Sequence, residues 1–256
     1  MKVVIWAGGY GSRISEESYL RPKPMIEIGG MPILWHIMKL YSHYGYNDFI
    51  VCLGYKQYMV KEFFANYFLY NSDVMFDLHD NSMRVLSDRV DSWKVTLVDT
   101  GLNTMTGGRL KRVQKYIGEE TFMLTYGDGV SDVNLAKVLE FHKSHGKVAT
   151  ITTVNIAQMK GVLEVNDLGD IISFREKSDE DATLINGGFM VLEPQIFDYI
   201  EGDHIVFEEQ PLRRLVADGQ LKSYYHQGFW QCMDTQREKQ KLEKIWESGN
   251  APWKVW

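Results

Sequence analysis

The feature that most constrains the fold is periodic. Short apolar runs alternate with longer stretches of helical spacing through the first 154 residues. Val3–Ala7, Asp48–Leu53, Trp93–Asp99, Thr121–Tyr126 and Val148–Val154 read as strands rich in β-branched and aliphatic residues. Between them, Pro32–Tyr44, Tyr58–Leu69, Gly108–Tyr116 and Val133–His145 read as helices. In the first helix Ile33, Leu34, Ile37, Met38 and Tyr41 share one face, Pro32 suits the first turn and Gly45 stops it. Nearly continuous apolar strands suit burial on both sides. The alternation therefore predicts an α/β fold: a Rossmann-like mixed, mostly parallel sheet with helices on both faces.

The second half reads differently. Gly161–Val165 and Asp170–Phe174 form short strands around the turn Asp167-Leu168-Gly169-Asp170, and Gly187–Leu192 forms another. Gln195–Ile200, Glu209–Asp218 and Thr235–Ser248 read as helices. The added strands are expected to extend the same sheet. No repeat, low-complexity tract or linker marks a boundary. The expectation is one catalytic domain over 1–235, with 236–256 as a helix and tail packed on it.

Charge narrows the partners. Lys and Arg number 28 against 34 Asp and Glu, a net charge of −6. That balance lacks the basic footprint of a nucleic-acid binder, but a local pocket on an acidic protein can still hold a small anion. Two cysteines, Cys52 and Cys232, are too few for a disulfide framework. The apolar run after Met1 is too short for a signal peptide, and no stretch is long enough to cross a membrane. A cytoplasmic protein with no membrane partner is expected.

The residues suited to chemistry begin directly after the first strand, at Ala7-Gly8-Gly9-Tyr10-Gly11-Ser12-Arg13. Clustered glycines let backbone N–H groups approach an anion, although they also serve a tight turn. Ser12 and Arg13 add a hydroxyl and a fork of donors suited to phosphate. The loop is neither a Walker A loop nor a GxGxxG fingerprint, which disfavours a dinucleotide-dependent dehydrogenase. Arg21-Pro22-Lys23-Pro24 follows, where two prolines hold one lysine in a non-helical loop. A lysine on such a loop is either placed for a ligand or simply solvated.

Asp128, between Gly127 and Gly129, follows an apolar strand at the end where open α/β sheets bind ligands, or else caps the next helix. Asp234 precedes the last helix and is either a ligand or an N-cap. Two such carboxylates suit Mg²⁺ bridging phosphates. Thr106-Gly107-Gly108-Arg109 opens a helix, where a glycine pair can contact an anion or base, or where Arg109 belongs to a solvated basic face. His142 and His145 are expected to be partly exposed helix residues rather than ligands. Phe63, Phe64, Tyr67, Phe68 and Tyr70 suit core or a subunit interface.

The pair GGxGSR and RPKPM resembles the signature of the sugar-1-phosphate nucleotidyltransferases. The likeness continues through Glu27–Met38, Gly54-Tyr55-Lys56, Val95–Gly101, Met105–Arg112, Thr125–Val130, Ile185–Phe189, Gly228–Trp230, Met233-Asp234-Thr235 and Ala251–Lys254. Within that family the blocks look most like the cytidylyltransferases that act on glucose 1-phosphate. The resemblance implies a GT-A-like fold and transfer of a cytidylyl group from CTP to a sugar 1-phosphate with release of pyrophosphate. It implies Mg²⁺ on Asp128 and Asp234, and catalytic roles for Arg13 and Lys23. The nucleotide would lie along Ala7, Gly8, Gly9, Gly11, Ser12, Arg13, Lys23, Thr106, Gly107, Arg109, Gly127 and Asp128. The sugar phosphate would meet Glu176, Lys177, Asn186 and Gly187. A homo-oligomer is implied as well, and the tryptophan-rich tail (Trp246, Trp253, Trp256) could supply subunit contacts.

Three places depart from the family pattern. Ser12 replaces a threonine, Lys177 runs into Ser178-Asp179-Glu180-Asp181 instead of proline, and Asn155–Gly161 lacks the expected Arg-Phe-Gly with Glu164 in place of aspartate. The last two lie on the sugar side. A different phosphate acceptor, and a non-catalytic sugar-nucleotide sensor, therefore stand as alternatives.

Overall fold

The computed structural model describes residues 1–87, 90–156, 162–165, 171–175 and 183–256. Its centre is an eight-stranded sheet. In chain order the main elements are β1 (Lys2–Ala7), α1 (Ile33–His43), β2 (Asp48–Leu53), α2 (Gln57–Ala65), β3 (Lys94–Asp99), α3 (Thr106–Ile117), β4 (Phe122–Tyr126) and β5 (Gly129–Ser131). They continue with α4 (Leu135–His145), β6 (Ala149–Ile156), β7 (Thr183–Asn186), β8 (Met190–Leu192), α5 (Gln210–Ala217), β9 (Leu221–His226), β10 (Trp230–Cys232) and α6 (Gln236–Glu247).

Strands β4, β1, β2 and β3 run parallel, in that spatial order. β8 lies antiparallel to both β4 and β6, and β9 runs parallel to β6 on its far edge. β7 and β8 follow one edge of β6, with the break at Gly187–Phe189. Gly188 there has φ +77° and Phe189, a non-glycine, φ +45°. The mixed, mostly parallel sheet expected from the alternation is the one that forms.

Period-two geometry divides the core. Val3, Ile5 and Ala7 of β1 face a layer built from α1, α4, α6 and Trp253, whereas Val4 and Trp6 face one built from α3, α5 and Phe197. Helices therefore cover both faces. Fully burying each such aliphatic side chain stabilises by roughly 1.5–3 kcal/mol.

Several expectations change. Among the described residues, Val162–Val165 and Ile171–Arg175 pair with each other as a separate antiparallel hairpin and with no strand of the main sheet. The helix expected over Tyr58–Leu69 breaks at Asn66 into α2 and a short turn of helix at Tyr67–Asn71. Gln195–Ile200 is a 3₁₀ turn spanning Pro194–Tyr199. A hairpin of Val74–Asp77 and Ser82–Val85 had no sequence signal, and neither had β9. His142 is fully buried, bonded to Thr150 at 2.8 Å and Glu193 at 3.0 Å.

The tail turns inward. Trp246, Trp253 and Trp256 surround His36, with ring centroids 4.7, 6.2 and 6.2 Å away. These tryptophans pack on their own chain, and Trp253 is a core residue at 1% exposure. His36 Nε2 donates to the Ile28 carbonyl, and Nδ1 accepts from the Trp253 indole. Burial pushes the imidazole pKa down to about 4, so it stays neutral near pH 7. α6 begins on a capping box formed by Thr235 and Glu238.

Candidate active site

A cavity of about 520 Å³ opens at the carboxyl ends of β1 and β4. Its floor is the loop that leaves β1. Gly8 lies so close to the Arg109 guanidinium that a Cβ there would stand 2.2 Å from Arg109 Nη1. Gly11 has φ +67°, in the left-handed region. Gly9 differs: a Cβ there would meet no atom within 4 Å among the described residues. Of the three glycines in this cavity-lining loop, Gly9 is the one with open space where a side chain would stand.

At the rim, four charged side chains from distant parts of the chain converge. Pro22 is extended (φ −65°, ψ 147°) and leads into a 3₁₀ turn that aims Lys23 inward. Lys23 is 8% exposed, so the solvated alternative is set aside. Its Nζ donates to Asp128 Oδ2 at 2.6 Å and Asp234 Oδ1 at 2.5 Å. Burial lowers the pKa of this ammonium, but Asp128 and Asp234 more than offset it, leaving the pKa above its ordinary value. Arg13 Nη1 reaches Asp234 Oδ2 at 2.8 Å and remains mostly exposed.

Strand pairing explains how the two aspartates meet. Asp128 follows β4 by way of Gly127, where a Cβ would stand 2.6 Å from the Trp6 carbonyl. β10 pairs antiparallel with β5, placing Cys232 opposite Gly129, and the Met233 N–H donates to the Asp128 carbonyl. That register sets Asp234 beside Asp128. Thr235 is the N-cap of α6, while the Asp234 carboxylate faces the cations.

Two acceptor-only carboxylates, here facing Lys23 and Arg13, are the donor chemistry that a hard divalent cation takes, with phosphates and water completing its shell. The residues therefore fit Mg²⁺. No cluster of three or more His, Cys, Asp or Glu of metal-holding geometry occurs among the described residues, so a metal here would take two protein carboxylates and draw the rest of its shell from ligand and water. Cys52 and Cys232 are both free thiols, and burial raises each to about 12.

The segment Thr106–Arg109 departs from its expected use. The Gly107 and Gly108 N–H groups both donate to the Ile205 carbonyl, at 2.9 and 3.3 Å. A Cβ on Gly108 would stand 2.5 Å from Asp203 Cα. These glycines admit the chain's own backbone, and this helix start is capped from within. Arg109 is buried at 5% exposure. Its guanidinium donates to the carbonyls of Leu53, Gly101, Gly8 and Leu102 and to the Thr100 hydroxyl. It borders the cavity, yet its donors hold loops together rather than face outward. Thr106, Ser12 and Ala7 line the cavity wall.

Among the described residues, neither Asn186 nor Gly187 lines this cavity, but Asn186 Nδ2 donates at 3.1 Å to the hydroxyl of Tyr126, which does. The Gly187 N–H donates to the Thr152 carbonyl at 2.8 Å, so that backbone donor, expected to face the sugar, is taken. Glu176 and Lys177 lie outside the described residues. Sequence reasoning missed Tyr126 and Glu208. Tyr126 ends β4, lines the cavity and donates to Glu208 at 2.6 Å. Burial, then the Glu208 charge, holds the tyrosine well above its ordinary pKa, so it keeps its proton. No local pattern marks Glu208. Among the described residues, no helix is long and apolar enough to cross a membrane.

The family described as Nucleotidyl transferase matches residues 2–237. The chain is 53% identical over 257 residues to a glucose-1-phosphate cytidylyltransferase of Salmonella typhimurium, with 100% of both chains covered. It is 43% identical, again over 100% of both, to a probable glucose-1-phosphate cytidylyltransferase of Bacillus subtilis. Among solved structures, HddC from Yersinia pseudotuberculosis shares the fold with a TM-score of 0.69 at 23% identity, covering 96% of this chain and 99% of that one.

Proposed function

The chain belongs to the nucleotidyl transferase family, and on that premise we propose that it joins CTP to glucose 1-phosphate, forming CDP-glucose and releasing pyrophosphate. The observation that carries the reaction type is the clamp of Lys23 between Asp128 and Asp234, with Arg13 alongside, at the rim of a glycine-floored cavity. The choice of CTP and glucose 1-phosphate is supported by the names of the full-length relatives.

An oxygen of the sugar phosphate attacks the α-phosphorus of CTP. A P–O bond forms there as the bond to the bridging oxygen breaks, and pyrophosphate leaves with that electron pair. No side chain has to become a nucleophile. The protein's work is positioning and offsetting negative charge. The open backbone at Gly9 admits the triphosphate, and Arg13 and Lys23 offset its charge and that of the leaving pyrophosphate. Asp128 and Asp234 would hold Mg²⁺, which when bound polarises phosphate oxygens. Asn186 stands on the sugar side, and Lys177 with Glu176 completes the sugar-phosphate contacts that the resemblance implies.

The enzyme is read as cytoplasmic and homo-oligomeric. Phe76, Leu78, Met83 and Leu86 are exposed on and beside the Val74–Val85 hairpin, an apolar surface that a second copy would cover. Light scattering at a single-subunit mass would remove the oligomer.

The test is pyrophosphate release with Mg²⁺, CTP and glucose 1-phosphate, run beside UTP, dTTP, GTP and other sugar 1-phosphates. CTP with glucose 1-phosphate is expected to give the highest kcat/KM, and chelation of Mg²⁺ to stop the reaction. Release from no pair at all would overturn the enzyme reading, and a better second sugar would overturn the acceptor.

A further inference from the structure

Glu208 sits behind the cavity wall and receives two short hydrogen bonds. Tyr126 donates to Oε1 and Thr106 to Oε2, each at 2.6 Å. Both donors line the cavity, and Glu208 does not. The array continues in both directions. The Thr106 hydroxyl accepts from the Phe207 N–H at 2.9 Å. The Tyr126 hydroxyl accepts from Asn186 Nδ2 at 3.1 Å, and Asn186 Oδ1 accepts from the Gly188 N–H at 2.9 Å.

The chemistry of each group fixes the direction of every bond. A carboxylate only accepts, so the single proton of each hydroxyl points at Glu208. The Gly188 N–H only donates, so the amide atom facing it must be oxygen. The opposite amide atom is therefore nitrogen, and it meets a tyrosine oxygen whose proton is already committed. One amide hydrogen goes to Tyr126, and among the described residues the other has no partner. An amide's O and N are assigned from such a network, and here both ends of the network agree.

We propose that Glu208 is a positioning residue that orients the Thr106–Tyr126–Asn186 array, so that Asn186 presents a hydrogen-bond donor to a hydroxyl of the sugar phosphate. The inference rests on the reading that places Asn186 beside the sugar. Glu208 acts through its neighbours and touches neither substrate. Glutamine at this position carries one acceptor and one donor group. It can satisfy Tyr126 or Thr106 in the native sense but not both, so the array loses its fixed direction.

The test uses the full-length enzyme with Mg²⁺ and CTP. kcat/KM is measured for glucose 1-phosphate and its monodeoxy analogues in wild type, Glu208→Gln, Asn186→Ala and the double variant. Wild type should reject the analogue lacking the recognised hydroxyl by at least tenfold, a modest share of what a site built to bond a hydroxyl reaches. Glu208→Gln should bring that ratio to within about twofold of unity, with the melting temperature little changed, and should add nothing to Asn186→Ala. A ratio unchanged in Glu208→Gln, additive effects, or a wild type indifferent to every analogue would overturn the proposal.

A second readout is independent of turnover. In ¹⁵N spectra, assigned by loss of the signal in Asn186→Ala, the Asn186 amide hydrogen facing Tyr126 should exchange slowly in wild type and faster in Glu208→Gln. Equal exchange would overturn the proposal even in an active enzyme, whereas absence of turnover in wild type would remove only the functional reading.

Discussion

Two glycine clusters look alike in the sequence and behave differently in the fold. Gly8-Gly9-Gly11 follows β1, Gly107-Gly108 opens α3, and both read as places where a backbone approaches a ligand. At the first, Gly9 faces open space. At the second, the chain's own segment 203–205 fills the room, and the Ile205 carbonyl takes the helix's N–H groups. A glycine thus marks close backbone approach without saying whose backbone or ligand approaches. Arg109 ties the clusters together, since it leaves α3 and donates to the Gly8 carbonyl.

Four substitutions break or sharpen that comparison. Arg109→Met should have the largest effect, because it removes five hydrogen bonds that tie the loops at Gly8, Leu53 and Thr100–Leu102 together and leaves the Gly101 and Leu102 carbonyls without this donor. About 4 kcal/mol of stability should be lost in denaturant melts, with activity falling alongside. Gly108→Ala should cost about 3 kcal/mol by the same measurement, because the new methyl meets rigid backbone at 2.5 Å. A melt like that of wild type would mean segment 203–205 yields easily, and the contrast between the clusters would weaken.

Lys23→Ala probes the rim of the open cluster. Turnover should fall at least a hundredfold, about 2.7 kcal/mol of transition-state stabilisation. A rate equal to wild type would remove Lys23 from the reaction. Gly9→Ala should have the smallest effect and the most selective. Its φ lies outside the left-handed region, so stability should stay within about 0.5 kcal/mol. The KM for CTP should rise about tenfold, roughly 1.4 kcal/mol. A loss of stability without a change in KM would make the two clusters equivalent.

Much of the sheet was legible because its strands are buried on both sides. Phe49–Leu53 is apolar throughout, and the expected strand over Asp48–Leu53 has the observed boundaries. Elements defined by a partner rather than a pattern were not legible. Leu221–His226 mixes Lys222, Ser223 and two tyrosines, and becomes a strand because β6 offers it an edge. The Val74–Val85 hairpin is largely exposed, so burial imprinted no alternation on it. Val162–Val165 and Ile171–Arg175 were recognised as strands, yet nothing local indicated that they would pair with each other apart from the main sheet.

The site divides the same way. Lys23, Asp128 and Asp234 could each be singled out locally, from prolines, flanking glycines and a helix start. Their meeting required strand pairing between residues 129–131 and 230–232. Glu208 and Tyr126 carried no signal, because their hydrogen bonds join positions 82 residues apart.

By itself, the sequence determined the alternating elements, both core layers and the residue types at the cavity, because periodicity and turn chemistry are local. Only the tertiary structure decided which glycines stay open, that Arg109 is a staple, and that one buried ammonium joins two carboxylates. Those outcomes depend on which distant backbone fills a space, and no neighbouring residue encodes that.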